Sequence, residues 1–350
     1  MVVATLLATA CGDGDDGSSG ASATTAAPVT TVATTTPAAP ETTDATTTPP
    51  PDQLAAGTFE VEHVAGLTEV PADPQHLLAL DEVAAYLLLD VGVAPDEIYL
   101  SFLTVSTPVV AEELGIPTQD HNIASPSFEA AAASGTDLII GSDHPASLGN
   151  YELWSDVAPT VLFGNDATIE EQLEVVARAA GRQDAAVDRI AALQAKVGRL
   201  ADRIATTFDQ PPSVSVIGSL GGMLFAPPSD IGALPLILAD LGLARPTAQQ
   251  VEVDPGFPFV FFSEEELLSH DADVVLTLGG GIYEDVTGLG LFPSLTGDTA
   301  VVEGELWLST HPFGVDWVLA DLEAVLFAEG EVATLEDTSQ RWADYAAGLP

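Results

Sequence analysis

The chain has 350 residues, room for two domains of ordinary size, and 47% of them are hydrophobic, enough to bury a large core. Its 53 acidic residues face only 8 Lys and Arg, a formal net charge of −45, which excludes nucleic acid and anionic lipid head groups as partners. A single cysteine, Cys11, excludes an internal disulfide and a thiol-based metal cluster.

Residues 2–10 read Val-Val-Ala-Thr-Leu-Leu-Ala-Thr-Ala and run directly into Cys11-Gly12-Asp13. A short apolar run ending in small residues reads as the end of a secretory signal. The cysteine behind it resembles a lipobox, in which the thiol is acylated. Residues 1–11 are therefore expected to be a lipoprotein signal segment with Cys11 as the lipidation site. The protein is expected outside the cytoplasm, anchored to the outer face of the cell membrane by that lipid alone. Residues 12–56 are rich in Asp, Gly and Ser and then in Thr, Pro and Ala. So few large apolar side chains cannot offset chain entropy, and a disordered linker is predicted. Pro37, Pro40, Pro49, Pro50 and Pro51 stiffen it toward extended conformations.

From Phe59 the texture changes. Phe59-Glu60-Val61-Glu62-His63-Val64 alternates like an edge strand. Pro71-Ala72-Asp73-Pro74 turns the chain into the apolar strand His76–Leu80, and Asp81 is placed to cap the helix that follows, which stops at Gly92. Strands are predicted at Glu97–Leu100, Leu138–Gly141 and Thr160–Phe163, with a helix from Ser127 between the first two. Such alternation points to a mainly parallel sheet covered on both faces. The lobe built from it spans 57–167.

Residues 168–208 keep helical apolar spacing for some forty positions, with a break near Gly181. Six of the eight basic residues lie here, at Arg178, Arg182, Arg189, Lys196, Arg199 and Arg203. They read as a solvated helix face balancing nearby acids. A second α/β set fills 209–350: strands at Val214–Gly218 and Asp273–Leu278, helices from Gly232, Ser263 and about Asp316, and the segment Glu305–Leu308. The fold class expected is α/β, with two lobes, each a mainly parallel sheet flanked by helices, joined by one long backbone helix.

Several segments then fall in register with a known family. Pro71-Ala72-Asp73-Pro74 before an apolar strand, Pro126-Ser127-Phe128-Glu129-Ala130 before Gly135-Thr136-Asp137-Leu138-Ile139-Ile140-Gly141, Ala158-Pro159-Thr160-Val161, Ala179-Ala180-Gly181-Arg182, and Ser263-Glu264-Glu265-Glu266-Leu267 before Ala272-Asp273-Val274-Val275 carry the likeness. The body resembles the helical-backbone class of substrate-binding proteins of ABC transporters, which deliver iron-siderophores, haem and cobalamin. The family's basic residue after the Pro-Asp-Pro turn is here replaced by Gln75-His76. The resemblance implies a monomeric receptor with cargo held in a cleft between the lobes, and an ABC permease with its ATPase as partners. It implies one docking glutamate at each lobe tip, Glu129 and Glu265 by position, paired to arginines on the permease. It implies no cofactor and no catalytic residue.

Cleft residues are expected in loops after the carboxyl ends of strands. Those are Asp81, Phe102, His121 and His144 in the first lobe, and Met223, Phe225, Tyr283, Trp307 and His311 in the second, with Arg245 as the available cation. Aromatic side chains at such places stack on flat or greasy cargo. His121, His144 and His311 match no local metal motif, so no metal site is predicted. With so few cations at hand, an iron-siderophore of the hydroxamate kind is expected over the strongly anionic catecholates, with cobalamin or haem as alternatives. An α/β enzyme is the other class. The run Gly279–Gly281 follows a strand as a nucleotide-binding turn does, but it lacks the GxGxxG spacing and a following Lys.

Overall fold

A computed structural model describes residues 57–100, 104–120, 127–228, 233–251, 253 and 259–349. Cys11, the linker 12–56, Phe102 and His121 lie outside these residues.

The body opens on an antiparallel hairpin, β1 (Thr58–His63) and β2 (Gly66–Pro71), with His63 opposite Gly66. Alternation turns Val61 and His63 inward. His63 Nε2 lies 2.8 Å from Thr68 Oγ1, which in turn lies 2.9 Å from the Tyr151 hydroxyl, so the hairpin is tied to the lobe behind it.

The first sheet follows in chain order as β3 (Leu77–Ala79), α1 (Glu82–Asp90), β4 (Glu97–Leu100), α2 (Ser106–Leu114), β5 (Thr118–Asp120), α3 (Phe128–Ser134), β6 (Leu138–Ser142), α4 (Pro145–Gly149), α5 (Tyr151–Val157) and β7 (Thr160–Phe163). Its strand order is β5-β4-β3-β6-β7, and every pairing is parallel. Each parallel neighbour needs a crossover, so helices cover both faces and β6 and β7 are buried along their whole length. Helix α1 is apolar on nearly every side and is buried from Ala84 to Asp90, a helix of the core rather than of the surface.

The connecting segment is two helices, α6 (Ile169–Ala179) and α7 (Gln183–Thr207). Thr168 and Glu171 close a capping box at the start of α6, and Gly181 takes the left-handed conformation, φ 66°, that ends it. At ~1.5 Å per residue, the 25 residues of α7 span about 37 Å. Its basic residues pair with acids from both sides: Arg189 with Asp90 on α1, Lys196 with Asp316, and Arg203 with Glu323 and Glu329.

The second sheet comprises β8 (Val214–Leu220), β9 (Met223–Ala226), then helix α8 (Ala233–Asp240), β10 (Val260–Phe262), β11 (Val274–Gly279) and β12 (Asp298–Glu303). Helices α9 (Gly304–Trp307), α10 (Pro312–Phe327) and α11 (Thr338–Ala346) complete the chain. The order is β10-β9-β8-β11-β12; β8, β11 and β12 are parallel, whereas β9 runs against β8 and β10 against β9. Where a mainly parallel sheet is expected, this one is mixed, for a local reason. Gly221 and Gly222 have φ of 59° and 79°, and Leu220 pairs with Met223, so a two-residue turn of the primed type folds β9 straight back on β8. Strand β12, an edge strand, was not expected at all. The segment after Ser263 is a 3-10 helix, Glu264–His270, and α10 starts at Pro312, four residues ahead of its predicted position.

One apolar cluster, including Leu87, Val176, Ile204, Val216, Trp317 and Trp342, runs through both lobes. Smaller clusters lie beneath the outer faces, around Tyr99 and Trp154 in the first lobe and Ile217 and Leu267 in the second. Across the lobe junction Tyr86 of α1 stacks on His311 at 4.1 Å between ring centroids. Among the described residues no helix is long and apolar enough to cross a membrane.

Candidate functional site

The carboxyl ends of the strands carry the chemistry of the cleft, and Asp81 shows how it is positioned. Following β3, its Oδ1 accepts from Ala84 N at 2.8 Å and its Oδ2 from Ser142 N at 2.7 Å. The carboxylate caps α1 and ties the end of β6 to it, as the sequence implied for the cap. Beyond β6, Asp143 Oδ1 accepts from Asn165 N at 2.9 Å, and the exposed His144 uses Nδ1 to accept from Ala146 N at 3.2 Å, capping α4.

In the second lobe the expected cleft residues divide. Met223 is exposed at the hairpin tip. Tyr283 is half-buried and lies across Gly304, where a Cβ would meet its ring at 2.3 Å; burial, helped by Glu305, pushes its hydroxyl up to about 12.

Phe225, Trp307, His311 and Arg245 point inward instead. Phe225 is fully buried, 4.4 Å from the Phe259 ring and pressed on Gly218. Trp307 is buried and donates Nε1–H to Asp321 Oδ2 at 2.8 Å. His311 is buried, caps α10 by accepting from Gly314 N at 3.1 Å, and is pushed by burial down to about 3, so the imidazole stays neutral. Arg245 donates to the carbonyls of Pro228 and Pro227 at 2.7 and 2.6 Å and to Gln249 Oε1 at 3.0 Å. Burial alone pushes it down to about 10, and it remains a cation turned into the lobe. These four side chains fill the interior: Phe225 lies within β9, Arg245 follows α8 and Trp307 closes α9, each packed within the second lobe, while His311 caps α10 and packs on Tyr86 at the lobe junction. Phe102 and His121 lie outside the described residues.

Glu129 and Glu265 are both exposed, each in the first turn of its helix. The neighbours of Glu265 are engaged: Glu264 accepts from Leu291 N at 3.2 Å, and Glu266 accepts from Ser263 N and Oγ at 2.9 Å.

One residue that sequence reasoning missed stands at the lobe junction. The Glu305 carboxylate, just past β12, accepts from Thr104 Oγ1 at 2.8 Å, Val105 N at 2.6 Å and Ser106 Oγ at 2.6 Å, all on the first lobe. Nothing in its local pattern marks it, since its partners are about two hundred residues away. The run Gly279–Gly281 belongs to the same junction. At Gly280, φ 74°, a Cβ would lie 1.9 Å from the Glu303 carboxylate, and at Gly281, φ 55°, it would lie 3.7 Å from Val105. Close approach and left-handed backbone account for these glycines, not a phosphate.

Two cavities border these elements. One of about 650 Å³ lies beside the middle of α7 between the lobes, lined by Asp166, Thr168, Leu193, Val197, Leu236 and Thr310. The other, about 660 Å³, lies on the second lobe and is lined by Met223, Phe261, Phe262 and Glu284 among others. Among the described residues no Lys or Arg lines either. Among the described residues no cluster of His, Cys, Asp and Glu forms a metal site.

Residues 107–291 match the family described as periplasmic binding protein. No curated protein sequence matches the chain. Among solved structures, Staphylococcus aureus SirA complexed with staphyloferrin B aligns at 20% identity and a TM-score of 0.64, covering 77% of this chain and 99% of its own. The siderophore periplasmic binding protein from the fuscachelin gene cluster of Thermobifida fusca aligns at 22% identity and a TM-score of 0.60, covering 74% and 99%. The periplasmic catecholate-siderophore binding protein VctP of Vibrio cholerae aligns at 17% identity and a TM-score of 0.61, covering 76% and 99%.

Proposed function

The chain belongs to the periplasmic binding protein family, and on that premise we propose that it is an extracytoplasmic, lipid-anchored receptor that binds an iron-siderophore complex and delivers it to an ABC permease. The cargo class follows the solved structures whose fold it shares, which are named as siderophore-binding proteins.

Within that class, a weakly charged or cationic complex of the hydroxamate kind fits better than a tris-catecholate. The observation that carries this is the distribution of cations. Residues 57–167, the whole first lobe, contain no Lys or Arg. In the second, Arg245 is tied to backbone carbonyls and Arg341 is paired with Asp321 at 3.2 Å. A strongly anionic complex entering this cleft would lose hydration without meeting a permanent counter-charge. Cobalamin satisfies the same charge argument and is the second reading.

Delivery would use Glu129 and Glu265. Each is an exposed acid at the start of its helix, and of the three consecutive acids in the second lobe Glu265 is the one not engaged by Ser263 or Leu291. The anchor would be Cys11.

Titration followed by tryptophan emission tests the cargo. Trp154, Trp307, Trp317 and Trp342 are all buried, so a bound iron chromophore is read by energy transfer rather than by contact. A ferric trihydroxamate is expected to quench saturably, and a ferric tris-catecholate far more weakly. Saturable quenching by none of ferric siderophores, haem or cobalamin would sink the assignment.

A further inference from the structure

Helix α2 begins without a cap of its own kind. Its N-cap residue is Val105, whose side chain has no acceptor. Thr104 Oγ1 accepts from Thr107 N at 3.3 Å. The first two backbone donors, Val105 N and Ser106 N, instead reach the opposite lobe, where Glu305 Oε2 accepts from Val105 at 2.6 Å and Glu305 Oε1 from Ser106 at 3.1 Å. The hydroxyls of Thr104 and Ser106 donate to the same Oε1 at 2.8 and 2.6 Å. A single carboxylate therefore holds three consecutive residues, with the positive end of the α2 dipole aimed at it.

The surroundings mark this as a junction and not a surface contact. Ser106 and Thr107 are buried, at 1% and 2% exposure. Gly281 approaches Val105 from the second lobe, and on the far side Tyr86 stacks on His311. Both halves of the contact stand where strands end facing the cleft: Thr104–Ser106 open α2 after β4, and Glu305 follows β12 by two residues.

We propose that Glu305 is an inter-lobe latch, a positioning residue that holds the two lobes at their present spacing by capping α2 across the junction, and so sets how fast cargo enters and leaves. Its consequence for cargo rests on the receptor reading above. The latch itself does not, because every contact it uses is between residues of the protein.

A carboxylate is needed for the geometry. Glutamine keeps one acceptor oxygen, but its amide would face the Val105 and Ser106 donors with two more N–H groups. The test compares the wild-type full chain with Glu305→Gln by hydrogen–deuterium exchange at the amides of residues 105–107 and by small-angle scattering, both without cargo. Exchange of those amides is expected to accelerate roughly tenfold or more, the loss of a hydrogen bond to a charged group, and the radius of gyration to rise. Ser106→Ala, which keeps both backbone bonds, should shift both readouts in the same direction by less, and carries the test if the glutamine variant fails to fold.

Unchanged exchange overturns the proposal. Faster exchange with an unchanged scattering profile also overturns it, since Glu305 would then only cap a helix. Stopped-flow binding of a ferric trihydroxamate, where the wild type binds it, should show association and dissociation both accelerated. If exchange and scattering respond but no cargo binds to either protein, the receptor reading falls and the latch stands.

Discussion

Arg189 Nε lies 3.3 Å from Asp90 Oδ2 and so fastens the connecting helix α7 to the end of α1, inside the first lobe. The same guanidinium donates to the Tyr345 hydroxyl at 2.8 Å, and that hydroxyl donates to Asp90. Three elements distant in sequence are closed around one carboxylate whose side chain is 2% exposed. Replacing Arg189 by Met leaves that carboxylate in the interior with its cation gone. The expected loss is about 3 kcal/mol of unfolding free energy, measured by denaturant titration.

The same carboxylate gives a pH signature. Burial pushes Asp90 up to about 6, with Arg189 and Tyr345 opposing the rise. A carboxyl group that holds its proton more tightly when folded makes the folded state bind more protons than the unfolded one between about pH 4 and pH 6. Its contribution therefore favours folding at the acid end and is lost as pH rises through the folded value. Asp90→Asn removes this contribution. The stability of the wild type relative to the variant should fall from pH 4 to pH 6, and a difference that is flat or rises over that window would contradict the assignment.

Arg245 is expected to matter for folding and not for cargo. Its removal in Arg245→Leu abandons the carbonyls of Pro227 and Pro228 and the amide of Gln249, which also donates to Ser215 Oγ at 2.7 Å. Unsatisfied buried acceptors cost about 1–3 kcal/mol each, so the denaturation midpoint should drop clearly. Cargo affinity of the folded fraction should stay within twofold. A selective loss of affinity with unchanged stability would show that the guanidinium faces the cleft.

Charge reversal at the lobe tips separates docking from binding. Glu129→Arg and Glu265→Arg alter exposed positions, where substitutions shift stability by about 0.5 kcal/mol or less. Uptake of cargo by cells carrying both substitutions should be abolished while equilibrium binding to the purified protein is kept. A parallel fall in cargo affinity would remove the docking role.

The glycine hairpin of the second lobe is open to a direct check. Gly222 holds φ at 79°, a region that costs a residue with a Cβ roughly 1–2 kcal/mol. Gly222→Ala should lower the unfolding free energy by about that amount in a denaturant titration, whereas Gly221→Asn, whose new side chain tolerates the left-handed region, should be near neutral.

Much of this architecture is legible in the amino-acid sequence. Alternation of apolar runs with helical spacing placed β3, α1, β4, β6 and β7, because the periodicity of one element is a property of adjacent residues. Asp81 was legible as a cap for the same reason, and the break in the connecting segment was legible at Gly181. The β8–β9 hairpin was also written locally, in a Gly-Gly pair between apolar runs, and reading those residues as a loop missed it. Strand β12 was less visible, since Asp298-Thr299-Ala300-Val301-Val302-Glu303 forms an edge with one side open and only Val302 is buried.

The candidate site was less legible. Arg245, Phe225, Trp307 and His311 were expected in loops after strand ends, yet Phe225 lies within β9, Arg245 follows α8, Trp307 closes α9 and His311 caps α10, and their side chains turn inward, to Phe259, to Pro227 and Pro228, to Asp321 and to Tyr86. Which way a side chain points depends on what packs against its element, and no single-residue pattern carries that.

By itself the sequence determined the α/β alternation and the scarcity of cations, down to a first lobe with neither Lys nor Arg. These follow from composition and short-range spacing. Only the tertiary structure decided that the one spare arginine is sealed in the second lobe, and that Glu305 closes on Thr104, Val105 and Ser106 across the junction. The physical reason is that both are settled by packing: Arg245 meets carbonyls 17 and 18 positions away across a folded lobe, and Glu305 meets residues about two hundred positions away, whose contact has a free energy only once both lobes have packed onto α7.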